Sequence, residues 1–220
     1  MEELILRELP NPIVKKIKKG GYIYKKGDTA KNIYFVKDGR IKIESISPSR
    51  RITKTILVAG ELFGEMTLFG EATRMDYACT IEAATIHIYP REEIQHLLKS
   101  NVQLQSLLLN KIANRRINIE QRLTSIVFKT SRSRVIDYLV YLGRKEGRRI
   151  GFDTLLRNFL PHKEIAYYTA TSRQTVNTVL NELQAQNLVH YNRKRLLIRD
   201  LNKLSTESIA ENKKYLFSND

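Results

Sequence analysis

The chain has 220 residues, which is enough for one large domain or for two ordinary ones that each bury a hydrophobic core. Its 38 lysines and arginines outnumber its 23 aspartates and glutamates, and the resulting net charge of +15 favours a polyanionic partner. The single cysteine, Cys79, excludes a disulfide framework, a four-thiolate iron–sulfur cluster and a cysteine-based zinc site, and the four histidines lack metal-ligand spacing.

The excess positive charge is concentrated in the C-terminal half. Residues 1–100 carry 17 basic and 13 acidic side chains, whereas residues 101–220 carry 21 and 10. We therefore expect a nucleic-acid-binding face in the second half, although basic surfaces also serve membranes and solubility. The chain opens without a positively charged leader and nowhere runs 18 apolar residues together, so we expect a cytoplasmic protein.

The first hundred residues predict β structure. Turns containing glycine recur at roughly ten-residue spacing, which indicates an antiparallel barrel or sandwich. The apolar runs between these turns are residues 22–24, 33–36, 41–46, 52–58 and 85–89. Ile41 and Ile43 alternate with Lys42 and Glu44, so we expect the third of these strands to be half buried. We expect Cys79 to be a buried strand residue rather than a ligand.

The pattern becomes helical over residues 91–128. An apolar seam with coiled-coil-like spacing, interrupted by Arg116, consists of Leu109, Ile112, Ile119, Leu123 and Ile126. The seam suggests a dimer axis, and the alternative is that it packs on its own barrel. Residues 129–133 break the pattern and predict a hinge with several N-cap candidates.

The segments beyond the hinge are less regular. Residues 134–142 predict a further helix, residues 143–151 a basic loop, and residues 152–160 a lead into Pro161. After residue 204 the sequence loses its periodicity and ends polar, so we expect the last dozen residues to be poorly ordered.

Residues 162–191 predict a short helix, a tight turn and a second helix. Thr171 and Ser172 are both N-cap residue types, and with Thr171 as the cap Gln174 would occupy the capping-box position. Ala170 stands at a turn position that is often glycine, where a left-handed conformation would cost of order 1 kcal/mol.

The second of these helices is amphipathic. Its narrow apolar stripe consists of Val176, Leu180 and Leu183. Ile165 and Ala166 of the first helix can pack against that stripe. The polar side chains that point outward from its first two turns are Arg173, Gln174, Asn177 and Thr178. All four can hydrogen-bond to base edges, as in a recognition helix lying in a DNA major groove, although an exposed polar face can also be merely solvated.

The next stretch favours the DNA-binding interpretation. Residues 188–199 contain two β-prone apolar runs around Asn192, Arg193 and Lys194, which predict a hairpin with a basic tip. A helix-turn-helix that is followed by a basic hairpin is a winged helix. We expect the hairpin side chains Arg193, Lys194 and Arg195, together with His162 and Lys163, to contact DNA phosphates.

The assembled pattern resembles the bacterial family of the cyclic AMP receptor protein and the fumarate–nitrate reduction regulator, Crp/Fnr. The resemblance covers about residues 15–200, and its most specific parts are the Phe63-Gly64-Glu65 segment, Arg74 nine residues later, and residues 171–176. It implies an α+β fold with an N-terminal β-roll, a long dimerisation helix and a C-terminal winged helix-turn-helix. The oxygen-sensing branch of the family is excluded because its cluster needs several cysteines.

In cyclic-nucleotide members of the family, the segment around Gly64 and Glu65 together with Arg74 forms a phosphate-binding cassette. Gly64 would let backbone N–H groups approach the phosphate, Arg74 would bind its oxygens, and Glu65 would accept from the ribose hydroxyl. Alternatively, Gly64 and Glu65 suit a barrel turn, and Arg74 pairs with Glu65 or Asp76. We place Met75 in the ligand site as well.

Several residues depart from the cyclic AMP pattern. Met75 stands where the family carries a small hydroxyl residue, and Asp76 would bring a negative charge close to a phosphate. Ile119 and Glu120 occupy the long-helix positions that supply hydroxyl groups to the adenine in the cyclic AMP receptor. Cyclic nucleotide is therefore one candidate effector, and another small ligand or no ligand remains open.

In the recognition helix, Arg173 matches the family arginine that reads guanine. Gln174 replaces the usual glutamate and favours adenine over cytosine, and Thr178 replaces a second arginine of the cyclic AMP receptor. Ser172 completes the predicted DNA-contacting set. We expect the half-site to keep one guanine and to differ at neighbouring base pairs.

The sequence thus predicts a homodimeric transcription regulator that binds double-stranded DNA at a near-palindromic operator, with RNA polymerase as a further partner and no enzymatic activity. The expected domains are a β-roll over residues 1–100, the dimerisation helix and hinge over 101–130, the winged helix-turn-helix over 131–204, and a tail over 205–220. The alternative function is a cyclic-nucleotide-binding regulatory subunit that acts through a protein partner.

Overall fold

The computed structural model describes residues 2–192 and 194–217, with side-chain positions over residues 3–192 and 194–211. The chain divides into two compact units, Met1–Ile119 and Glu120–Asp220. The boundary falls inside the long helix, so the last turns of that helix belong to the C-terminal unit.

The N-terminal unit is an antiparallel β-roll, which confirms the predicted barrel or sandwich. It begins with helix α1, Glu2–Glu8. Its eight strands are β1 (Ile13–Ile17), β2 (Tyr22–Tyr24), β3 (Asn32–Asp38), β4 (Ile41–Ile46), β5 (Arg51–Leu57), β6 (Leu62–Phe63), β7 (Tyr77–Thr80) and β8 (Ala84–Pro90). They form two four-stranded sheets with the orders β1-β8-β3-β6 and β2-β7-β4-β5. All five predicted strands are present, and β1, β6 and β7 are additional.

Two apolar clusters hold this unit together. One lies between the sheets and includes Tyr34, Ile41, Phe63 and Ile86. The other cluster joins strand and helix residues, namely Ile5, Ile33, Phe35, Leu62, Tyr89, Ile94, Leu97, Leu104 and Leu108. Removing such residues from water is the main stabilising contribution to a fold of this size.

The expectation that β4 is half buried is wrong. Lys42 and Glu44 are buried as completely as the isoleucines beside them. Their charges pair, with Lys42 Nζ 2.9 Å from Glu44 Oε2, and the Sγ of the buried Cys79 lies 3.3 Å from Glu44 Oε1. A buried lysine and carboxylate persist only when they are paired in this way, so alternation of polar residues did not mark a solvent face here.

The segment predicted as helical, residues 91–128, forms two helices. Helix α2 is Arg91–Ser100 and helix α3 is Val102–Phe128, with a break at Asn101. The Asn101 side chain caps α3 by accepting a 2.9 Å hydrogen bond from the N–H of Leu104. Two seam residues of α3, Leu109 and Leu123, are 58% and 62% exposed, whereas the seam residue Ile112 packs against the second apolar cluster of the β-roll.

The C-terminal unit is a winged helix-turn-helix. Its elements are α4 (Ser131–Glu146), β9 (Arg148–Ile150), β10 (Asp153–Arg157), α5 (His162–Thr169), α6 (Arg173–Ala185), β11 (Val189–Tyr191), β12 (Arg195–Ile198) and α7 (Leu201–Phe217). The strands form one antiparallel sheet in the order β11-β12-β10-β9. The segment predicted as a basic loop and a lead, residues 143–160, instead contains the end of α4 and the β9–β10 hairpin, and β10 also pairs with the wing strand β12.

Helix α7, Leu201–Phe217, includes the first part of the segment that was expected to be a poorly ordered tail. Leu204 and Ser208 lie one turn apart on α7 and are buried. The hydroxyl of Ser208 donates to Asp137 Oδ1 of α4 over 2.6 Å. These contacts attach the first two turns of α7 to α4, although the sequence after residue 204 lacks a clear apolar period. Residues 218–220 lie outside the described part.

Candidate functional site

The turn of the helix-turn-helix has the left-handed conformation at Ala170 that is typical of this turn position. Ala170 ends α5 in the left-handed region, with φ 52° and ψ 47°. Ser172 caps α6, since its Oγ accepts a 2.9 Å hydrogen bond from the N–H of Thr175. The capping box based on Thr171 is therefore wrong, and Gln174 keeps an exposed side chain in the first turn.

Helix α6 has the predicted division into two faces. Val176, Leu180 and Leu183 are fully buried, as are Ile165 and Ala166 of the preceding helix. The exposed side chains at the N-terminal end of α6 are Ser172, Arg173, Gln174 and Thr178. Packing on α5 thus fixes the orientation of α6, and it leaves a polar face that can meet base edges.

The side chain of Asn177 was predicted to point outward from α6 without a partner, and the structure differs from this prediction. It is only partly exposed, and its Oδ1 is hydrogen-bonded to Nδ1 of His162. The imidazole of His162 packs edge-on against two rings, with centroid distances of 6.1 Å to Phe159 and 5.5 Å to Tyr191. The structure thus brings His162 and Asn177 together as a bonded pair.

The wing is shaped by one side chain. Asn192 Oδ1 accepts from the backbone N–H groups of Lys194 and Arg195 at 3.0 Å and 2.9 Å. The side chains of Lys194, Arg195 and Lys163 are exposed. Arg193, a fourth predicted phosphate contact, lies outside the described residues.

A concave surface connects these parts. A cavity of about 490 Å³ lies between the start of α5, the first residue of α6 and the wing. Its lining is Phe159, Leu160, Pro161, His162, Lys163, Arg173, Tyr191 and Asn192. Three of the predicted DNA-contacting residues therefore line one depression with basic side chains at its edge.

The second predicted site is in the β-roll, where the Gly64 cassette has the expected backbone. Gly64 has φ +76°, and a Cβ atom at this position would lie 2.9 Å from the Tyr34 ring and 3.2 Å from the Arg74 guanidinium. Glycine is thus required both for the backbone conformation and for the close approach of Arg74.

Arg74 is buried and hydrogen-bonded to other residues of the β-roll. It is 2% exposed, and its Nη1 donates to Gly64 O and to Glu71 Oε2, each at 3.1 Å. Its Nη2 donates to Asn32 O, and the guanidinium lies 4.6 Å from the centroid of the Tyr24 ring. The charge partner is therefore Glu71, and not Glu65 or Asp76 as the alternative interpretation proposed.

Glu65 is held by a residue that the sequence did not identify. Its Oε1 pairs with Arg115 of α3 at 2.7 Å, and Arg115 also donates to Leu62 O at 2.6 Å. Asp76 is paired with Lys54 at 2.6 Å, so its negative charge is already balanced, and Met75 is exposed. The cassette therefore contains two internal ion pairs, Arg74 with Glu71 and Arg115 with Glu65.

Two buried polar atoms of the cassette have no hydrogen-bond partner in the part of the chain that the structure describes. Among the described residues, Arg74 Nε and Glu65 Oε2 have no hydrogen-bond partner. Burial also raises the pKa of Tyr24, whose ring lies beside Arg74, so its hydroxyl stays neutral. An unpaired donor and an unpaired acceptor at one site could both be satisfied by a small polar ligand.

Both halves of the chain match known families. The cyclic nucleotide-binding domain family matches residues 14–101, and the Crp-like helix-turn-helix domain family matches residues 133–207. The chain belongs to the Crp/Fnr family. It is a DNA-binding transcription regulator and not an enzyme, since the family consists of such regulators. The alternative of a regulatory subunit that acts through a protein partner is not favoured, because the C-terminal half is a Crp-like helix-turn-helix.

Several named regulators are similar over most of their length. The global nitrogen regulator of a Nostoc species is 23% identical over 190 residues, covering 85% of each chain. The cyclic AMP receptor protein of Thermus thermophilus is 29% identical over 171 residues, covering 77% of this chain and 76% of its own. A solved structure of a CooA mutant from Carboxydothermus hydrogenoformans has a TM-score of 0.79 at 23% identity, covering 92% of this chain and 90% of that one. It supports the fold.

Two arginines of this Crp/Fnr protein that sequence patterns did not single out fix the end of α5. Arg134 of α4 donates to Thr169 O at 2.9 Å, to Ala170 O at 3.1 Å and to Lys129 O at 2.8 Å. It thereby satisfies carbonyl groups at the C-terminal end of α5, where a positive charge is also favourable. Burial lowers the pKa of Arg134.

Arg122, in the last turns of α3, binds the same helix end. Its Nε donates to Tyr168 O at 2.8 Å, and its guanidinium lies 4.3 Å from the centroid of the Tyr168 ring. Burial lowers the pKa of Arg122 and raises that of Tyr168. The segment on both sides of the predicted hinge is therefore attached to the first helix of the helix-turn-helix. Within the described part of this regulator, no helix is both long and apolar enough to span a membrane.

Proposed function

We propose that this regulator acts as a homodimer that places α6 in the major groove of a near-palindromic operator. The observation that carries the proposal is the exposed polar face at the start of α6, which is fixed by a buried stripe and flanked by the basic wing. Arg173 would bind guanine O6 and N7, and Gln174 would favour adenine. Ser172 and Thr178 would lie along the same groove. We also propose that the protein acts in the cytoplasm and works with RNA polymerase.

Phosphate contacts would position the protein without reading its sequence. Lys163 at the start of α5 and Lys194 and Arg195 in the wing have exposed side chains that suit this role, and the sequence adds Arg193. His162 would contribute from the same edge.

Dimerisation is supported by the exposed apolar residues of α3. Leu109, Ile119 and Leu123 all lie on the seam and are exposed in the single chain. A second copy of α3 would cover them with the same residues, as in a two-fold interface. Half-sites would then lie about one helical turn, roughly 34 Å, apart.

Selection of binding sites from a randomised DNA library tests the role of α6. We expect Arg173→Ala to lose roughly 1–3 kcal/mol per half-site on the selected sequence and to relax its guanine preference. Gln184→Ala provides a matched control, because Gln184 is an exposed residue later in the same helix. If both variants lost the same affinity on selected and random DNA, the recognition role of α6 would be wrong.

We further propose that a small effector bound in the β-roll controls operator affinity. The unpaired Arg74 Nε and Glu65 Oε2 support a ligand at the cassette, within the part matched by the cyclic nucleotide-binding domain. The relatives named above are a cyclic AMP receptor protein and a global nitrogen regulator, so their names refer to different signals. In this chain Arg74 is paired with Glu71, so the phosphate of a ligand would compete with the Glu71 carboxylate for the Arg74 guanidinium.

An effector would act by a population shift. It would bind more tightly to one of two states of the dimer that differ in operator affinity, because a ligand with equal affinity for both states changes nothing. Cyclic AMP is the first candidate to test, with Gly64, Glu65, Arg74 and Met75 as its contacts.

Calorimetric titration of cyclic AMP into nucleotide-free protein tests this candidate, with Arg74→Ala and Glu71→Gln as variants. Micromolar binding that is lost in Arg74→Ala and strengthened in Glu71→Gln would establish cyclic AMP as a ligand of the cassette, because Glu71 competes for the same guanidinium. Absence of heat with the wild type and with Glu71→Gln would exclude cyclic AMP and leave other small ligands or none.

A further inference from the structure

Two asparagines of α6 have their amide oxygens occupied by ring donors from outside the helix. Asn177 Oδ1 is bonded to His162 at the start of α5, and Asn181 Oδ1 accepts a 2.7 Å hydrogen bond from the hydroxyl of Tyr191 in β11. Asn177 and Asn181 are one helical turn apart and therefore lie on the same side of α6. The sequence pattern predicts Asn177 as an outward-pointing amide that can hydrogen-bond to a base edge.

The occupied oxygen changes what Asn177 can offer to a base. An asparagine recognises adenine by accepting from N6–H with its oxygen while donating to N7 with its amide nitrogen. An amide oxygen cannot donate, so His162 Nδ1 must carry the hydrogen of the shared bond. With that oxygen directed to His162, the amide presents N–H donors to the groove.

We infer that Asn177 is a specificity-determining residue that reads an acceptor edge, and that His162 is the positioning residue that sets this preference. Guanine presents two neighbouring acceptors in the major groove, O6 and N7, and thymine presents O4, whereas the N7 acceptor of adenine lies beside the N6–H₂ donor. Asn177 therefore favours guanine or thymine over adenine at its base pair. This inference rests on the proposed placement of α6 in the groove.

The surroundings of His162 keep its ring in place. It is partly buried between Phe159 and Tyr191, with ring centroids 6.1 Å and 5.5 Å away. These two ring contacts hold the plane of the imidazole, and the hydrogen bond to Asn177 Oδ1 sets which edge of the ring faces α6. A donor held in this way selects one orientation of the Asn177 amide before DNA binds.

The neighbouring side chains extend the same pattern. Arg173 lies one turn before Asn177 and has only donors, and Asn181 lies one turn after it with its oxygen held by Tyr191. The face of α6 at positions 173, 177 and 181 consequently offers donors along its length. Its complement is a run of base edges rich in acceptors, with guanine and thymine on the contacted strand.

Randomised-site selection with full-length protein tests the inference, using wild type, Asn177→Ala and His162→Phe. The phenylalanine keeps an aromatic ring between Phe159 and Tyr191 and removes the N–H donor. We expect wild type to prefer guanine or thymine over adenine by about tenfold at one base pair, and Asn177→Ala to lose that preference. His162→Phe should shift it toward adenine, because the freed amide can then offer both its oxygen and its nitrogen.

Tyr191→Phe is the matched control. It keeps the ring against His162 and removes only the hydroxyl that binds Asn181, so the preference at the Asn177 base pair should not change. An equal shift in Tyr191→Phe and His162→Phe would show a general packing effect and would overturn the positioning role. If His162→Phe also weakened binding equally on all sequences, that loss would reflect a phosphate contact. Such a loss would not change the ratio of affinities between bases, which is the quantity that tests the positioning role.

The Arg173→Ala arm separates this inference from the proposed function. If Arg173→Ala relaxes a guanine preference while Asn177→Ala changes no position, or if wild type prefers adenine where Asn177→Ala loses selectivity, the inference fails and α6 remains the reading helix. If neither variant changes any base preference, the proposed placement of α6 fails with it.

Discussion

The arginine of the β-roll cassette, Arg74, is hydrogen-bonded to residues of the β-roll itself, whereas the arginine of the recognition helix, Arg173, is exposed. Arg74 is 2% exposed and donates to Gly64, Glu71 and Asn32, while Arg173 is exposed at the start of α6. A motif residue can thus contribute to stability in one region and be available for binding in the other. The two roles predict different consequences of the same substitution.

The largest expected effect is on the stability of the ligand-free β-roll. Arg74→Ala removes a buried guanidinium and leaves Glu71 without its charge partner, so we expect a loss of roughly 3 kcal/mol in the free energy of unfolding. Arg173→Ala should change it by less than about 0.5 kcal/mol, because Arg173 is an exposed side chain. Urea unfolding of both variants without ligand measures the difference, and similar values would remove the contrast between the two regions.

A partly buried arginine within the C-terminal unit, Arg134, provides a second test of the comparison, because its hydrogen bonds are made within the unit. Arg134→Ala leaves carbonyl groups of Lys129, Thr169 and Ala170 without their donor, and we expect a loss of about 2 kcal/mol. Thermal unfolding monitored by circular dichroism would show this loss. Arg199→Ala is the control, because its 2.8 Å ion pair with Asp153 lies at the surface and should contribute less than about 1 kcal/mol.

Local patterns predicted the elements that carry DNA recognition. The spacing of Val176, Leu180 and Leu183 defined the buried face of α6, and the turn conformation of Ala170 followed from its position between two helices. These features depend on residues close together in sequence. The bond between His162 and Asn177 joins two helices across 15 residues, so no local period indicated it.

The cassette was predicted only in part for the same reason. Gly64 and Arg74 were found by their motif, but Arg115, which pairs with Glu65, lies 50 residues away on α3. The burial of Glu44 likewise depends on Lys42 beside it and on Cys79, 35 residues later in another strand. Long-range pairing decides whether a charged side chain is free, and a sequence alone does not give that pairing.

A smaller effect is expected from relieving backbone strain in the turn. Ala170 adopts φ 52°, where a Cβ atom is unfavourable, and Ala170→Gly should raise the free energy of unfolding by up to about 1 kcal/mol. The carbonyl group that binds Arg134 is kept, so operator affinity should stay the same. An increase in the midpoint of thermal unfolding without a change in affinity would confirm this. A lower midpoint would show that the greater conformational freedom of glycine in the unfolded chain outweighs the relief of backbone strain.

The smallest effect should come from the wing and concerns binding strength alone. Lys194 is exposed, and only its backbone is held by Asn192, so Lys194→Ala should leave stability unchanged. It should weaken binding alike on operator and random DNA, and should reduce the slope of log affinity against log salt by about one for each subunit that loses a phosphate contact. Filter binding at several salt concentrations measures the slope. A loss confined to the operator would mean that Lys194 reads bases, and then the wing, like α6, would contribute to specificity.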